Sequence, residues 1–182
     1  MTTRVSLPGM HTPGAGFDEP FAMLDACHDR VRRSLDLLAR LRAYLRDRGC
    51  DDSARQAARD VLRYFDIAAP LHHEDEELHV FPPLLARGGD EGLAALVRQL
   101  QRDHMLMAER WSAARGALQD MTQARIQAFT PEQEAAFDRF MECYADHLRH
   151  EDDSIYPAAR ALLTMQAQQT MGKEMALRRG VR

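Results

Sequence analysis

Cysteine is scarce in this chain of 182 residues, with only Cys27, Cys50 and Cys143 and no CxxC pattern. An odd, scattered set of this kind argues against a disulfide framework and against a zinc knuckle, and reads as reduced, mostly structural thiols. β-Branched aliphatics are also few. Six Val and 3 Ile stand against 27 Ala and 21 Leu, a balance that favours helices and disfavours a large sheet. No apolar run approaches the roughly 18 residues of a membrane span, and the start MTTRVSLPGMHTPG lacks the apolar stretch of a secretory signal. A cytoplasmic protein without a membrane partner is expected. Positive charge is not in excess either: 24 Lys and Arg against 28 Asp and Glu give a net charge of −4, without the global field that nucleic-acid binding needs. Small molecules, metals or proteins are the expected partners.

What is present is one domain's worth of helical pattern. Residues 1–17 carry Pro8, Gly9, Pro13, Gly14 and Gly16 without periodicity and read as an irregular arm. Phe21, Leu24, His28, Val31, Leu35 and Leu38 then recur on one helical face, behind Pro20 at the first helical position and ahead of Gly49. Ser53 and Gln56 have the capping-box spacing for a second helix reaching Leu85, which Pro70 must kink. Asp90 and Glu91 suit the positive end of a third helix, whose stripe runs Leu93, Val97, Leu100, His104, Met107, Trp111 and Leu118. Thr130 to Gln133 is a capping box with Pro131 at its first helical position, and it opens a fourth helix through Tyr144, His147, Glu151 and Ile155. A short C-terminal helix and a weakly ordered basic tail with Arg178 and Arg179 occupy 161–182, leaving 18–160 as the domain.

The histidines reveal an internal repeat. His28 and His104 lie 76 residues apart, and His72/His147, Glu76/Glu151, Phe81/Tyr156 and Pro82/Pro157 each lie 75 apart. Either lone histidine on an apolar face reads as an ordinary core residue, and either His-x-x-x-Glu pair as an ordinary surface pair; five matched pairs together argue otherwise. An antiparallel four-helix bundle can present all six at one level, so the predicted metal set is His28, His72, Glu76, His104, His147 and Glu151. Two metals would each take two imidazoles and share both carboxylates. Mixed nitrogen and oxygen donors favour iron over magnesium or calcium, while manganese and zinc also fit.

Three alternatives accompany this set. The pair His73 and Glu77 has the same spacing as His72 and Glu76, and the repeat selects the latter. Glu76-x-x-His79 has the spacing of ferritin-like diiron sites, but its repeat counterpart is Ser154 and no second Glu-x-x-His exists. Asp152, one residue beyond Glu151, would need a local bulge to reach the same metals. His73, Glu74, Asp75 and Glu77 read as supporting or solvated groups. Trp111, Met107, Phe140 and Tyr144 read as core.

The stretches Ala26-Cys27-His28-Asp29-Arg30, His72 to Glu77 with Phe81-Pro82, and His147 to Glu151 with Tyr156-Pro157 resemble the bacterial hemerythrin-like, or HHE cation-binding, domain over about residues 20–160. That resemblance implies a four-helix bundle with two iron ions and a bridging oxo or hydroxo group. It implies binding or sensing of oxygen, nitric oxide or a related small oxidant. A redox enzyme that reduces peroxide or nitric oxide or oxidises Fe(II), and iron handling or repair of iron centres, are the alternatives. A sensory role would require a separate output partner or a homo-oligomer. The oxygen-carrying relatives place a second histidine four residues after the one on the third helix, where this chain has Ala108. By helical phase Ala108 is expected to face the metal that His104 binds.

Overall fold

The computed structural model describes residues 16–181, and within them every regular element is helical. Most of the expected 1–17 arm therefore lies outside the described residues. Helix α1 spans Pro20–Arg48 and stops at Gly49, whose φ of +76° is open to glycine at little cost. A second helical run covers 52–87 in three pieces: α2 (Asp52–Arg63), α3 (Ala69–Asp75) and α4 (Phe81–Arg87). Its cap is Asp51, which accepts from the Ala54 amide, two residues before the expected capping position at Ser53. Helix α5 spans Glu91–Thr122 under an Asp90 cap. The next run begins at the Thr130/Gln133 capping box and comprises α6 (Pro131–Met141), α7 (Tyr144–His150) and α8 (Tyr156–Leu162). Helix α9, Met165–Arg178, closes the chain.

Prolines explain the breaks. Pro70, Pro82 and Pro157 each follow a π-helical turn of five residues: Tyr64–Ala68, Glu76–Val80 and Glu151–Ile155. A proline in a helix offers no amide to the carbonyl four residues back, and its ring crowds that carbonyl. In each case the residue before the proline instead donates five residues back, from Ala69 to Tyr64, Phe81 to Glu76 and Tyr156 to Glu151. The extra residue widens the turn and rotates everything beyond it. Where the sequence predicts a kink at Pro70 the structure has a π turn, and the two repeat prolines carry the same device.

Two apolar clusters fill the interior. One gathers Val31, Leu38, Ala69, Phe65, Met107, Trp111, Phe140, Tyr144 and Leu148. The other gathers Phe21, Leu24, Val80, Phe81, Leu100, Ile155, Tyr156, Met171 and Met175. His28 falls between Leu24 and Val31 on α1, and His104 between Leu100 and Met107 on α5. His72 and Glu76 fall between Ala69 and Val80, and His147 and Glu151 between Tyr144 and Ile155. The polar side chains thus form a layer with packed hydrocarbon on both sides.

Helix α9 is a docked element, in contrast to the weakly ordered tail expected from its charges. Met171 and Met175 enter the second cluster. The Phe17 carbonyl crosses the helix so closely that a Cβ at Gly172 would lie 1.9 Å from its oxygen. Arg178 and Arg179 each reach the fully buried Asp75 at 2.6 Å. A carboxylate withdrawn from water in this way requires such partners, and losing one of them typically costs about 3–5 kcal/mol.

Candidate metal centre

The structure brings all six predicted residues together, none more than 7% exposed. Helix α1 contributes His28 and α5 contributes His104. His72 lies on α3, His147 on α7, and each glutamate opens the π turn that follows. The carboxylates face the imidazoles from two sides. Glu76 Oε1 lies 3.9 Å from His28 Nε2 and 3.5 Å from His72 Nε2, while its Oε2 lies 3.4 Å from His104 Nε2. Glu151 Oε2 lies 3.1 Å from His28 Nε2, and its Oε1 lies 3.1 Å from His147 Nε2 and 3.9 Å from His104 Nε2. A transition metal about 2.1 Å from each donor separates adjacent donors by about 3 Å, so these spacings suit shared ions.

Hydrogen-bond accounting gives the same result. Glu76 Oε2, His104 Nε2, His147 Nε2 and both Glu151 oxygens are buried without a hydrogen-bond partner among the described residues. Unpaired buried polar atoms are rare because each forfeits its hydration. A cation supplies what these atoms lack, and the donor set fits one. Two groups bring ligand-type atoms within 4.8 Å of one another: His28, His72, Glu76 and Glu151 in one, and His73, His104 and His147 in the other.

His73 is therefore nearer the centre than its expected supporting role. Its ring stacks on His104, with centroids 4.1 Å apart. Ala108, expected to face the metal, is exposed instead. The buried stripe of α5 passes through Leu100, His104, Met107 and Trp111, which centres it on the opposite flank of His104 from Ala108. His79 also points away, with Nε2 accepting from Arg178 at 2.9 Å and lying 3.3 Å from Glu174. Asp152 does not join the cluster. The bulge it would have required exists, but it begins at Glu151 and turns Asp152 outward to the far nitrogen of His28.

Three imidazoles are oriented from behind. His28 Nδ1–H donates to Asp152 at 2.7 Å, His104 Nδ1–H to Glu77 at 3.0 Å, and His147 Nδ1–H to Asp103 at 3.5 Å. Arg32, Gln101 and Gln99 hold those carboxylates in turn. A carboxylate behind a histidine fixes its tautomer and raises its basicity. His72 Nδ1 has no such partner.

Charge balance follows burial and proximity. Burial opposes protonation of His28, but Glu151 and Glu76 outweigh it and push its pKa up to about 10. His104, buried against Glu76 and Glu77, likewise rises to about 10. Burial carries His72 the other way, to about 4, with His28 and His104 adding repulsion. The centre thus attracts positive charge.

Tyr156 was legible in the sequence only as half of a repeated aromatic-proline step. In a π turn, residues five apart share a face, so Tyr156 follows Glu151 into the centre. Its hydroxyl donates to Glu76 Oε1 and lies 2.9 Å from His28 Nε2. Burial, with Glu76 and Glu151 adjacent, holds that phenol well above its ordinary range and keeps it protonated. Phe81, its counterpart, stacks on His104 without a polar atom.

Comparison with known proteins agrees with this geometry. The model of the family described as hemerythrin HHE cation binding domain matches residues 19–159. A Haemophilus influenzae protein, described as uncharacterized, is 31% identical over 168 residues, which is 92% of this chain and 94% of that one.

Proposed function

The chain belongs to the hemerythrin HHE cation-binding family, and on that premise we propose that it is a diiron protein that binds or senses oxygen or a related small oxidant. In this reading 20–162 act as the antiparallel four-helix bundle and α9 as its strap. The carrying observation is the layer of four imidazoles and two carboxylates whose buried oxygens and nitrogens lack protein partners.

His28 and His72 would hold one iron and His104 and His147 the other, with Glu76 and Glu151 available to both. When bound, the pair of irons supplies a redox couple and, with a bridging oxygen, an exchangeable coordination position. Four protein donors and such a bridge would make five ligands where octahedral iron accepts about six. His73 would be available as a further donor beside His104 and His147, and no such additional imidazole stands with His28 and His72. On that side lies the Tyr156 hydroxyl, whose proton is held by Glu76, and the apolar layers above and below exclude water. Manganese or zinc could occupy the same donors, and zinc, having no redox couple, would not support the oxidant reading.

A second reading, reductive turnover of peroxide or nitric oxide, draws on the same hydroxyl, because a protonated phenol next to the open position can hand over a proton. Anaerobic loading with Fe(II), followed by optical spectra during cycles of oxygen exposure and removal, separates the two. Reversible binding returns the starting spectrum. Turnover consumes oxidant and reductant continuously. Failure to take up two irons overturns both.

A further inference from the structure

Away from the metal centre, a cavity of about 520 Å³ opens between α1, the stretch from α2 to α3, and the end of α9. Six arginines line it, namely Arg30, Arg33, Arg40, Arg63, Arg178 and Arg179, against one acid, Asp60. The chain as a whole is net negative at −4, so this concentration is local and not an overflow of general positive charge. Four of the six are engaged. Arg63 pairs with Asp60 at 2.6 Å, Arg40 with Asp36 at 2.8 Å, and Arg178 and Arg179 with Asp75. Arg30 and Arg33 face no acidic partner among the described residues, and Arg30 Nε is buried without a hydrogen-bond acceptor.

The remaining wall is apolar. Leu37, Leu71, Ala68 and Ile67 line it, with Ile67 48% exposed, so an apolar ligand body would find hydrocarbon to rest on. The polar atoms that could compete are occupied or inert. Tyr64 donates its hydroxyl to the Cys27 carbonyl at 3.2 Å. The Cys27 thiol is buried.

We propose that this cavity binds a small organic anion, with a carboxylate or phosphate head on Arg30 and Arg33 and an apolar body against Ile67 and Leu71. A guanidinium matches either oxyanion with paired N–H donors and is less strongly hydrated than an ammonium, which suits a half-buried site. The volume lies within the range of about 300–1,000 Å³ usual for small-molecule pockets. A concave, partly apolar pocket of this size also suits a compact ligand better than an extended polyanion, which would need a long positive surface.

Calorimetric titration of the intact protein with octanoate, octyl phosphate, octanol and inorganic phosphate tests this. Octanoate or octyl phosphate is expected to bind at least tenfold more tightly than either octanol or inorganic phosphate, and whichever of the two is favoured identifies the head group. Arg30→Gln with Arg33→Gln should weaken that binding at least tenfold. Ile67→Glu, at a half-exposed position where folding is not at stake, should do the same by placing a carboxylate inside. Octanol binding as tightly as octanoate, inorganic phosphate as tightly as octyl phosphate, no binding by any probe, or unchanged affinity in these variants would each overturn the proposal.

Discussion

Residues 20–87 and 91–162 each bring a lone histidine, a His-x-x-x-Glu pair and an aromatic-proline step to the centre, yet the imidazole pairs they furnish have different neighbours. Beside His28 stands the Tyr156 hydroxyl of the other half, and the place that His73 occupies in the first half is taken in the second by Leu148. Around His104 and His147 stand Phe81 and the additional imidazole of His73. The residue ahead of each lone histidine differs too. Asp103 accepts from His147, whereas its counterpart Cys27 offers no carboxylate, and His72 Nδ1 is left unpartnered. Glu77 and Asp152, by contrast, are true equivalents, each reaching across to the lone histidine of the opposite half. A duplicated scaffold thus holds two inequivalent positions, and the differences come from three substitutions at matched places.

The largest expected effect strikes what the two positions share. Because Glu76 and Glu151 each face imidazoles of both halves, Glu76→Gln or Glu151→Gln should lower metal content from two per chain to less than one, instead of emptying one side. Removing metal from the unaltered protein leaves those carboxylates and imidazoles buried against one another. At free metal about 1,000-fold above its dissociation constant, binding to the folded state alone adds about 4 kcal/mol. That is a rise of roughly 8–16 °C in melting temperature for a chain of this size. Equal melting temperatures for loaded and stripped protein would place the metal elsewhere.

Next come changes that convert one half toward the other. Asp103→Cys gives the second half what the first has, and loss of the carboxylate behind His147 should reduce affinity at that position by about 10–100-fold. Stepwise metal titration would show one site weakened and the other retained. Tyr156→Phe makes the first half resemble the second. It leaves Glu76 without its hydroxyl donor, a loss of about 1.5–3 kcal/mol for a hydrogen bond to a charged group. It should also alter azide or nitric oxide affinity without changing metal stoichiometry.

Acid sensitivity compares the equivalent pair. Burial resists ionisation of Asp152, but His28 and Arg32 override it and hold its carboxyl below the ordinary value; for Glu77 the hydrogen bond from His104 does so. A depressed folded pKa contributes stability that is complete above the ordinary carboxylate pKa of about 4 and is lost as pH falls through the folded value. Asp152→Asn and Glu77→Gln should therefore each flatten the acid limb of melting temperature against pH, to similar extents. A large difference between them would mean that the inequivalence extends to this outer pair as well.

The comparison also shows how far sequence reading reaches. The Thr130/Gln133 box and Gly49 mark their helix ends because a cap is a local device, decided within four residues. The six-residue cluster was legible because duplication printed it twice. Tyr156 was missed because a constant 100° per residue cannot describe a helix with π turns, although Pro82 and Pro157 were the signal for them. The docking of α9 was invisible for another reason: the partner of Arg178 and Arg179 is Asp75, about a hundred residues earlier, and an isolated basic tail looks solvated whether or not such a partner exists.

The smallest expected effect separates His73 from Ala108 as the source of a fifth nitrogen. By sequence the place of Ala108, one turn beyond His104, faces the metal and His73 reads only as a supporting group. In the structure Ala108 is exposed on the outer flank of α5, while His73 stacks on His104 at 4.1 Å. Ala108→His should consequently leave metal content, optical spectrum and azide affinity as they are, because its imidazole would enter solvent. His73→Leu installs the residue that the second half carries at this place, Leu148. It should keep both irons but render their surroundings more alike, so that two distinct Mössbauer doublets move toward one and exogenous ligand gains access to the His104 side. A spectral change in Ala108→His with none in His73→Leu would mean that α5 turns its outer flank inward when metal binds, and that His73 only packs.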